Sequence, residues 1–502
     1  MSENAIVEIL DIHRAEVDTE TLWGFAIDQP KKGSKTDTYR IYVSGWVLGK
    51  NSKVVEVQLL SDGRLLRKAT ASINRPGVAK QYPKVSGAKN SGFQVEVGVI
   101  GLPLESELSI RAVFENKSTV SIGVIKYRRQ LLHSNYQSKL QPLLVTSSGR
   151  SGSTWIMRLL SQHPKIVASQ IYPYEIRVSQ YWMQMLTILS QPHNPVEFSP
   201  DYFYNKLRCI GPNPYNNHNL NNSLDNSWLT REYIENLGDF CRQNLDQFYE
   251  HIATKQGKVF PPPSDSSKNN LYFVEKFLMI FNRKVLLELY PQAREIILVR
   301  DFRDMACSIA AFNTKRGYIA FGRKQVDSDR EYINTVIKSI AANILQLWRQ
   351  RKEQAYLLRY EDLILSPEET LSSIFDYLNL DNSNSTISKI LETASEDTPQ
   401  LKKHRTSANP QESIGRWRND LEPSLQALCT EVCQEALQEF GYSLSAEEQP
   451  SPLPKTIKPQ IKTESPLTPT NSNFVKETES ARKRLEQIKS QFQNIRNKLK
   501  NS

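Results

Sequence analysis

Apolar residues in the first 130 positions fall on alternate sites. Arg40–Trp46, Val54–Leu60, Leu65–Ile73, Phe93–Val99, Leu108–Phe114 and Thr119–Ile125 each alternate in polarity, and turn signals such as Ser61-Asp62-Gly63 separate them. This spacing predicts a small all-β sandwich over 1–130. From about residue 140 the pattern changes. Continuous apolar runs, Leu143-Leu144-Val145 and Ile296-Ile297-Leu298-Val299, are followed by stretches in which apolar side chains recur at helical spacing, as Trp155, Ile156, Leu159 and Leu160 do. Such runs are strands buried on both sides, so 140–445 is expected to be an α/β domain: a doubly wound parallel sheet with helices on both faces.

Two further stretches read differently. Residues 191–270 are rich in Asn, Pro and Tyr and predict an insertion with helices of its own. Residues 450–473, rich in Pro, Ser, Thr and Lys, predict a flexible linker. Over 474–502, Ala481, Leu485, Ile488, Phe492, Ile495 and Leu499 step by fours and threes, the seam of a short coiled-coil helix that would pair with a second copy or dock on a partner or an anionic surface.

Composition sharpens this picture at four points. With 502 residues, 39% hydrophobic and 24% charged, the chain suits two or three soluble globular domains. Its formal charge of +10 is mostly a tail effect: residues 451–502 hold eight Lys and three Arg against four Glu, so no nucleic-acid partner is expected. The five cysteines, Cys209, Cys241, Cys307, Cys429 and Cys433, have neither disulfide-framework nor zinc spacing, and no metal is expected. The first residues lack a basic start and apolar core, and no run of 18 apolar residues occurs; no transmembrane segment and a cytoplasmic location are expected.

The candidate chemistry begins at Ser147–Trp155, Ser-Ser-Gly-Arg-Ser-Gly-Ser-Thr-Trp, between a strand-like run and a helical one. Gly149 and Gly152 let the backbone approach an anion, Ser151, Ser153 and Thr154 add hydroxyls, and Arg150 adds a planar cation that can fork onto phosphate or sulfate oxygens. A magnesium-dependent nucleotide loop carries Gly-Lys followed by Ser or Thr, and that triplet is missing, which argues against a kinase using ATP. The stretch resembles the 5′-phosphosulfate loop of sulfotransferases, which use 3′-phosphoadenosine-5′-phosphosulfate (PAPS) without a metal. Three later segments extend the resemblance over about 140–445. Arg300 closes a strand and Ser308 lies eight residues on, the pair that in this family grips the 3′-phosphate. Tyr356–Leu363 reads as a strand leading to Ser366-Pro367-Glu368-Glu369, with Tyr360 near the adenine. Glu412–Leu421 is similar to the late loop that folds over the cofactor, with Gly415, Arg416 and Trp417 covering the nucleotide. The resemblance implies the P-loop-like sulfotransferase fold, with residues Gly149 to Trp155 among the cofactor ligands.

Sulfuryl transfer builds negative charge on the bridging and leaving oxygens, so a fixed cation there lowers the barrier. Arg150 is the first candidate. Lys276 is the second; it resembles a lysine of tyrosylprotein and other Golgi-type sulfotransferases, although Phe277 follows where that group often has proline. The acceptor hydroxyl needs a base, and Glu175 and His404 are the two candidates. His163 is expected to end the first helix. A carbohydrate or glycolipid is the expected acceptor, with protein tyrosine or a small hydroxylated metabolite as alternatives, and a non-catalytic glycan- or nucleotide-binding scaffold as an alternative of another class. The loop Asn74–Gly92, with Arg75-Pro76 and Tyr82-Pro83, is a candidate for sugar contact in an otherwise structural module.

Overall fold

The computed structural model describes residues 5–192, 228–258, 271–278, 281–317, 319–396, 399 and 409–446. The predicted linker and terminal helix, Cys209, His404 and most of the predicted insertion lie outside them.

Nine strands form two antiparallel sheets in the first 130 residues. They are β1 Val7–Arg14, β2 Leu22–Gln29, β3 Lys35–Thr36, β4 Arg40–Gly49, β5 Val54–Ser61, β6 Arg64–Thr70, β7 Gly92–Gly98, β8 Glu105–Phe114 and β9 Thr119–Arg129. One sheet has the order β3-β1-β9-β8-β5-β6 and the other β2-β4-β7. Val43, Val57, Phe93, Ile110 and Ile125, each almost fully buried, fill the core between them. The six strands expected from alternation are all present. The first three were not foreseen, and two of them carry register shifts, between Ile9 and Asp11 in β1 and on either side of Gly24–Ile27 in β2, which break the alternation a strand reading depends on. The segment Asn74–Gly92 folds back on its own sheet: Arg75 donates to the Gly45 carbonyl at 2.9 Å and pairs with Asp28 at 2.8 Å, while Tyr82 packs beside Trp46.

The second region is a five-stranded parallel sheet made of β10 Gln141–Ser147, β11 Ile166–Val167, β12 Tyr272–Phe277, β13 Arg294–Val299 and β14 Ala355–Arg359, in the order β11-β12-β10-β13-β14. Ile296 to Val299 are all buried, so successive side chains pointing to opposite faces both meet cover. Helices Val178–Leu189, Tyr233–Lys255 and Phe281–Leu289 pack toward β12, while Phe302–Arg316, Lys338–Arg351 and Pro423–Glu439 share a core with Ile297 and Val299. The chain leaves β10 in the centre, runs to one side, and returns to the other. The carboxyl end of β10 is therefore a topological switch point, where open α/β sheets hold ligands.

The two regions are fastened by a buried ion pair. Arg129 of β9 meets Glu288 at 2.6 Å with both side chains 2% exposed, and Glu288 also accepts the N–H groups of Gly101 and Leu132. Tyr39 adds a second tie, donating to Glu235 at 3.0 Å and accepting from the His133 N–H.

Candidate active site

Strand register decides which groups surround the loop after β10. Val145 lies opposite Lys276 of β12, and Ser147 opposite Leu298 of β13, so Lys276 and Arg300 leave the sheet on either side of Ser147–Thr154. Within that loop Arg150 and Gly152 both have positive φ, 65° and 90°. Alternating left- and right-handed residues turn successive N–H groups toward one concavity. Helix Ser153–Gln162 then starts at the loop, adding the partial positive charge of its N-terminus. The glycines are required by close cover. A Cβ on Gly149 would stand 2.5 Å from the Phe321 ring, and one on Gly152 2.3 Å from the Tyr360 ring. Ser151 is turned inward and bonds the Ser148 carbonyl at 2.7 Å, so it shapes the loop.

On the β13 side, Arg150 and Arg300 stand together. Arg150 donates through Nε to Ser308 Oγ at 3.3 Å and lies over the Phe312 ring. Arg300 donates to the Arg150 carbonyl at 3.1 Å and to the Ser413 carbonyl at 2.6 Å, and stacks on Tyr360 with 4.6 Å from guanidinium carbon to ring centre. Burial, and then the charge of Arg300, lower the Arg150 pKa to about 10. The loop Glu412–Leu421 is closed over this cluster. Tyr360 and Ser413 share a hydroxyl–hydroxyl contact at 3.1 Å, and Asp304, one helical turn before Ser308, accepts the N–H groups of Gly415 at 2.7 Å and Trp417 at 3.0 Å. Burial and the neighbouring Asp301 raise the Asp304 pKa to about 7, against which Arg300 and the two N–H groups act.

The β12 side holds the other predicted groups. Lys276, 4% exposed, donates to Thr154 Oγ1 at 2.9 Å and to the Pro173 carbonyl at 2.5 Å, and stands 3.8 Å from Glu175, which is 55% exposed. Burial lowers the Lys276 pKa to about 8, in spite of Glu175. Arg177 approaches Glu175 at 4.0 Å. The preceding residue of the strand, Glu275, points the other way and accepts from the Ser179 N–H and hydroxyl and from Tyr249. That contact pins the helix Val178–Leu189, and with it the segment that presents Glu175.

The structure thus gathers Arg150, Thr154, Glu175, Lys276, Arg300, Ser308, Tyr360 and Gly415–Trp417 around one loop. Two local expectations change. The strand expected over Tyr356–Leu363 ends at Arg359, and Tyr360 opens a short helix that lays its ring between Gly152 and Arg300. The Trp417 indole is buried, flanked by the guanidiniums of Arg303 at 3.9 Å and Arg418 at 4.6 Å, so it anchors the loop, while Arg416 pairs with Asp420. Trp155 sits half-buried in the first turn of the loop helix, which ends at His163. Asp304 and Glu275 were missed: each looks like an ordinary acid beside a motif residue, and only their burial reveals them. Among the described residues no group of three or more His, Cys, Asp or Glu could hold a metal ion, and no helix is long and apolar enough to cross a membrane.

Fold and loop together define an α/β domain with an anion-handling loop at the carboxyl end of its central strand. Residues 142–384 match the model of the sulfotransferase family. Carbohydrate sulfotransferase 1 of Rattus norvegicus and of Homo sapiens are each 26% identical to this chain over 164 residues, 31% of this chain and 40% of the relative. The chain therefore spans about two fifths of the length of the curated relatives it matches. Among solved structures, the sulfotransferase domain from the curacin biosynthetic pathway is 16% identical with a TM-score of 0.34, covering 61% of this chain and 99% of that one. The sulfotransferase domain of the Synechococcus PCC 7002 olefin synthase is 19% identical with a TM-score of 0.33, covering 63% and 100%.

Proposed function

We propose that this chain transfers a sulfuryl group from PAPS to a hydroxyl of an acceptor, with a carbohydrate or glycolipid as the acceptor class. The observation that carries the reading is the pairing of Arg150 with Ser308 and Arg300 across the loop after β10. The residues fit a nucleotide with an anionic group at each end: the backbone at Gly149 and Gly152 leaves no room for a side chain, Arg300 Nε is buried without a hydrogen-bond partner, and the mutual repulsion of Arg150 and Arg300 is relieved by an anion. When bound, PAPS supplies the sulfuryl group that the acceptor oxygen takes up as the 5′-phosphate leaves. Ser308, Arg300 and Arg416 would hold the 3′-phosphate, and the loop N–H groups and Arg150 the 5′ end. Lys276, against Thr154, carries positive charge to the transfer side. Glu175, exposed at its mouth and 3.8 Å from Lys276, would take the hydroxyl proton. The carbohydrate acceptor is supported by the name of the curated relatives and by the β module ahead of the domain; a cytoplasmic location remains part of the proposal.

The test is calorimetric titration with 3′-phosphoadenosine-5′-phosphate (PAP) and with ATP, without magnesium. Selective PAP binding that is lost in Arg300→Ala supports the reading. Equal affinity for ATP only when magnesium is added would overturn it.

A further inference from the structure

The β module carries a surface that the transfer site does not use. Segment Asn74–Gly92 lies on the outer side of the β2-β4-β7 sheet, held by a small cluster in which Val78 and Ala88 pack on Leu48 with Trp46, Tyr82 and Val85 around them. Gly24 of β2 makes room for this cover, since a Cβ there would meet the Tyr82 hydroxyl at 3.0 Å and the Trp46 ring at 3.2 Å. Tyr82 in turn donates to the carbonyl of Trp23, whose side chain is 42% exposed, and Lys50 stands 5.2 Å over the Trp23 ring. Burying a tryptophan would release apolar surface from water; here one is held open instead.

Charge is sorted around it. Between Asn74 and Gly92 there is no Asp or Glu, and Lys80, Lys84 and Lys89 are all exposed. Arg75 is the one cation of the segment spent on an acid, Asp28. On the turn before Trp23, Asp18 and Glu20 are both exposed acids, Asp18 accepting from the Thr21 hydroxyl and the Glu20 N–H, so the cations that outnumber them lie on the segment and at Lys50. We infer that this face binds an acidic polysaccharide, with sugar rings against Trp23 and sulfate or carboxylate groups against Lys50, Lys80, Lys84 and Lys89. The combination selects the ligand: an uncharged glycan has no use for the lysines, and a flexible polyanion without rings has none for the indole. The inference deepens the proposed function and rests on its carbohydrate acceptor, because a sulfated chain is the product such a site would make and could keep.

The basic terminal segment would hold any polyanion, so the experiment separates the two. Full-length protein is run by affinity electrophoresis through gels containing dextran sulfate or unsulfated dextran. The variants are Lys80→Ala/Lys84→Ala/Lys89→Ala, Trp23→Ala, and Arg496→Ala/Lys498→Ala/Lys500→Ala, which removes the same charge from the tail. The patch triple variant is expected to bind dextran sulfate about tenfold more weakly, from three exposed cations at surface strength. Trp23→Ala should also bind more weakly, and the tail variant should lose less than the patch variant. Equal losses from patch and tail, an unaffected Trp23→Ala protein, wild-type retardation equal in dextran, or no wild-type binding would each overturn the inference. PAP titration of the same proteins keeps the two readings apart: the patch variants should bind PAP as wild type does, whereas a wild-type protein that ignores PAP would fail the transfer site alone.

Discussion

Replacing Asp304 with alanine tests whether the late loop is part of the nucleotide site. Its carboxylate accepts two backbone N–H groups, from Gly415 and Trp417, in a buried setting. A hydrogen bond to a charged group contributes about 1.5–3 kcal/mol, and a buried N–H left without a partner costs about 1–3 kcal/mol. Taking about 3 kcal/mol for the pair, the docked arrangement loses up to about 150-fold in population, and apparent nucleotide affinity falls with that fraction. Arg300 to Ser413, Tyr360 to Ser413 and the packed Trp417 retain part of the docking. The expected loss of PAP affinity is therefore about tenfold to a hundredfold, read by calorimetry, with faster tryptic cleavage after Arg416 and Arg418 as an independent sign of an undocked loop. Asp304→Asn keeps one oxygen to accept an N–H but points an amide donor at the other, and should fall between alanine and wild type. A folded Asp304→Ala protein with PAP affinity within about twofold of wild type would refute the argument.

Two further outcomes follow from buried charge. Lys276 has a folded pKa of about 8, below its ordinary 10.5, so the ammonium is lost as pH rises through 8; kcat/KM should decline on that limb, and Lys276→Arg, which keeps its proton, should move the decline to higher pH. The same depression has a stability sign: the folded protein binds fewer protons than the unfolded chain between about 8 and 10.5, so stability relative to Lys276→Met should rise with pH across that window, as urea midpoints at each end would show. Removing Glu288 leaves Arg129 buried and the N–H groups of Gly101 and Leu132 without their acceptor, and Glu288→Ala should lower unfolding free energy by about 3–5 kcal/mol in chemical denaturation; a loss under about 1 kcal/mol would mean that the joint is hydrated.

The sequence was most readable where local pattern and chemistry coincide. The alternation of β4 to β9, the apolar runs of β10 and β13, and the loop Ser147–Trp155 could all be placed from residue types alone, because burial on one or both faces writes itself into the order of side chains. β1 and β2 were hidden by bulges that shift the apolar positions by one. The pairing of Arg150 with Ser308, and the carboxylates of Asp304 and Glu275 that hold the surrounding backbone, depend on segments 96 to 158 residues apart. Nothing in the neighbourhood of Asp304 distinguishes it from an acid that simply starts a helix. Trp417, expected beside the nucleotide from the likeness of its loop, adds a contact that no local pattern announces: its ring is held between the guanidiniums of Arg303 and Arg418.

The joint between Arg129 and Glu288 also bears on inheritance. An accessory module tied to its neighbour by a surface loop can be exchanged between genes with little consequence. Here a strand of the module supplies the cation for an acid inside the domain that follows, so a recombination break between them would leave a lone buried charge on each side. Ancestors of this chain could trade its β module only together with the helix that carries Glu288. The two parts are expected to have descended as a pair, with substitutions at one end of the joint answered at the other.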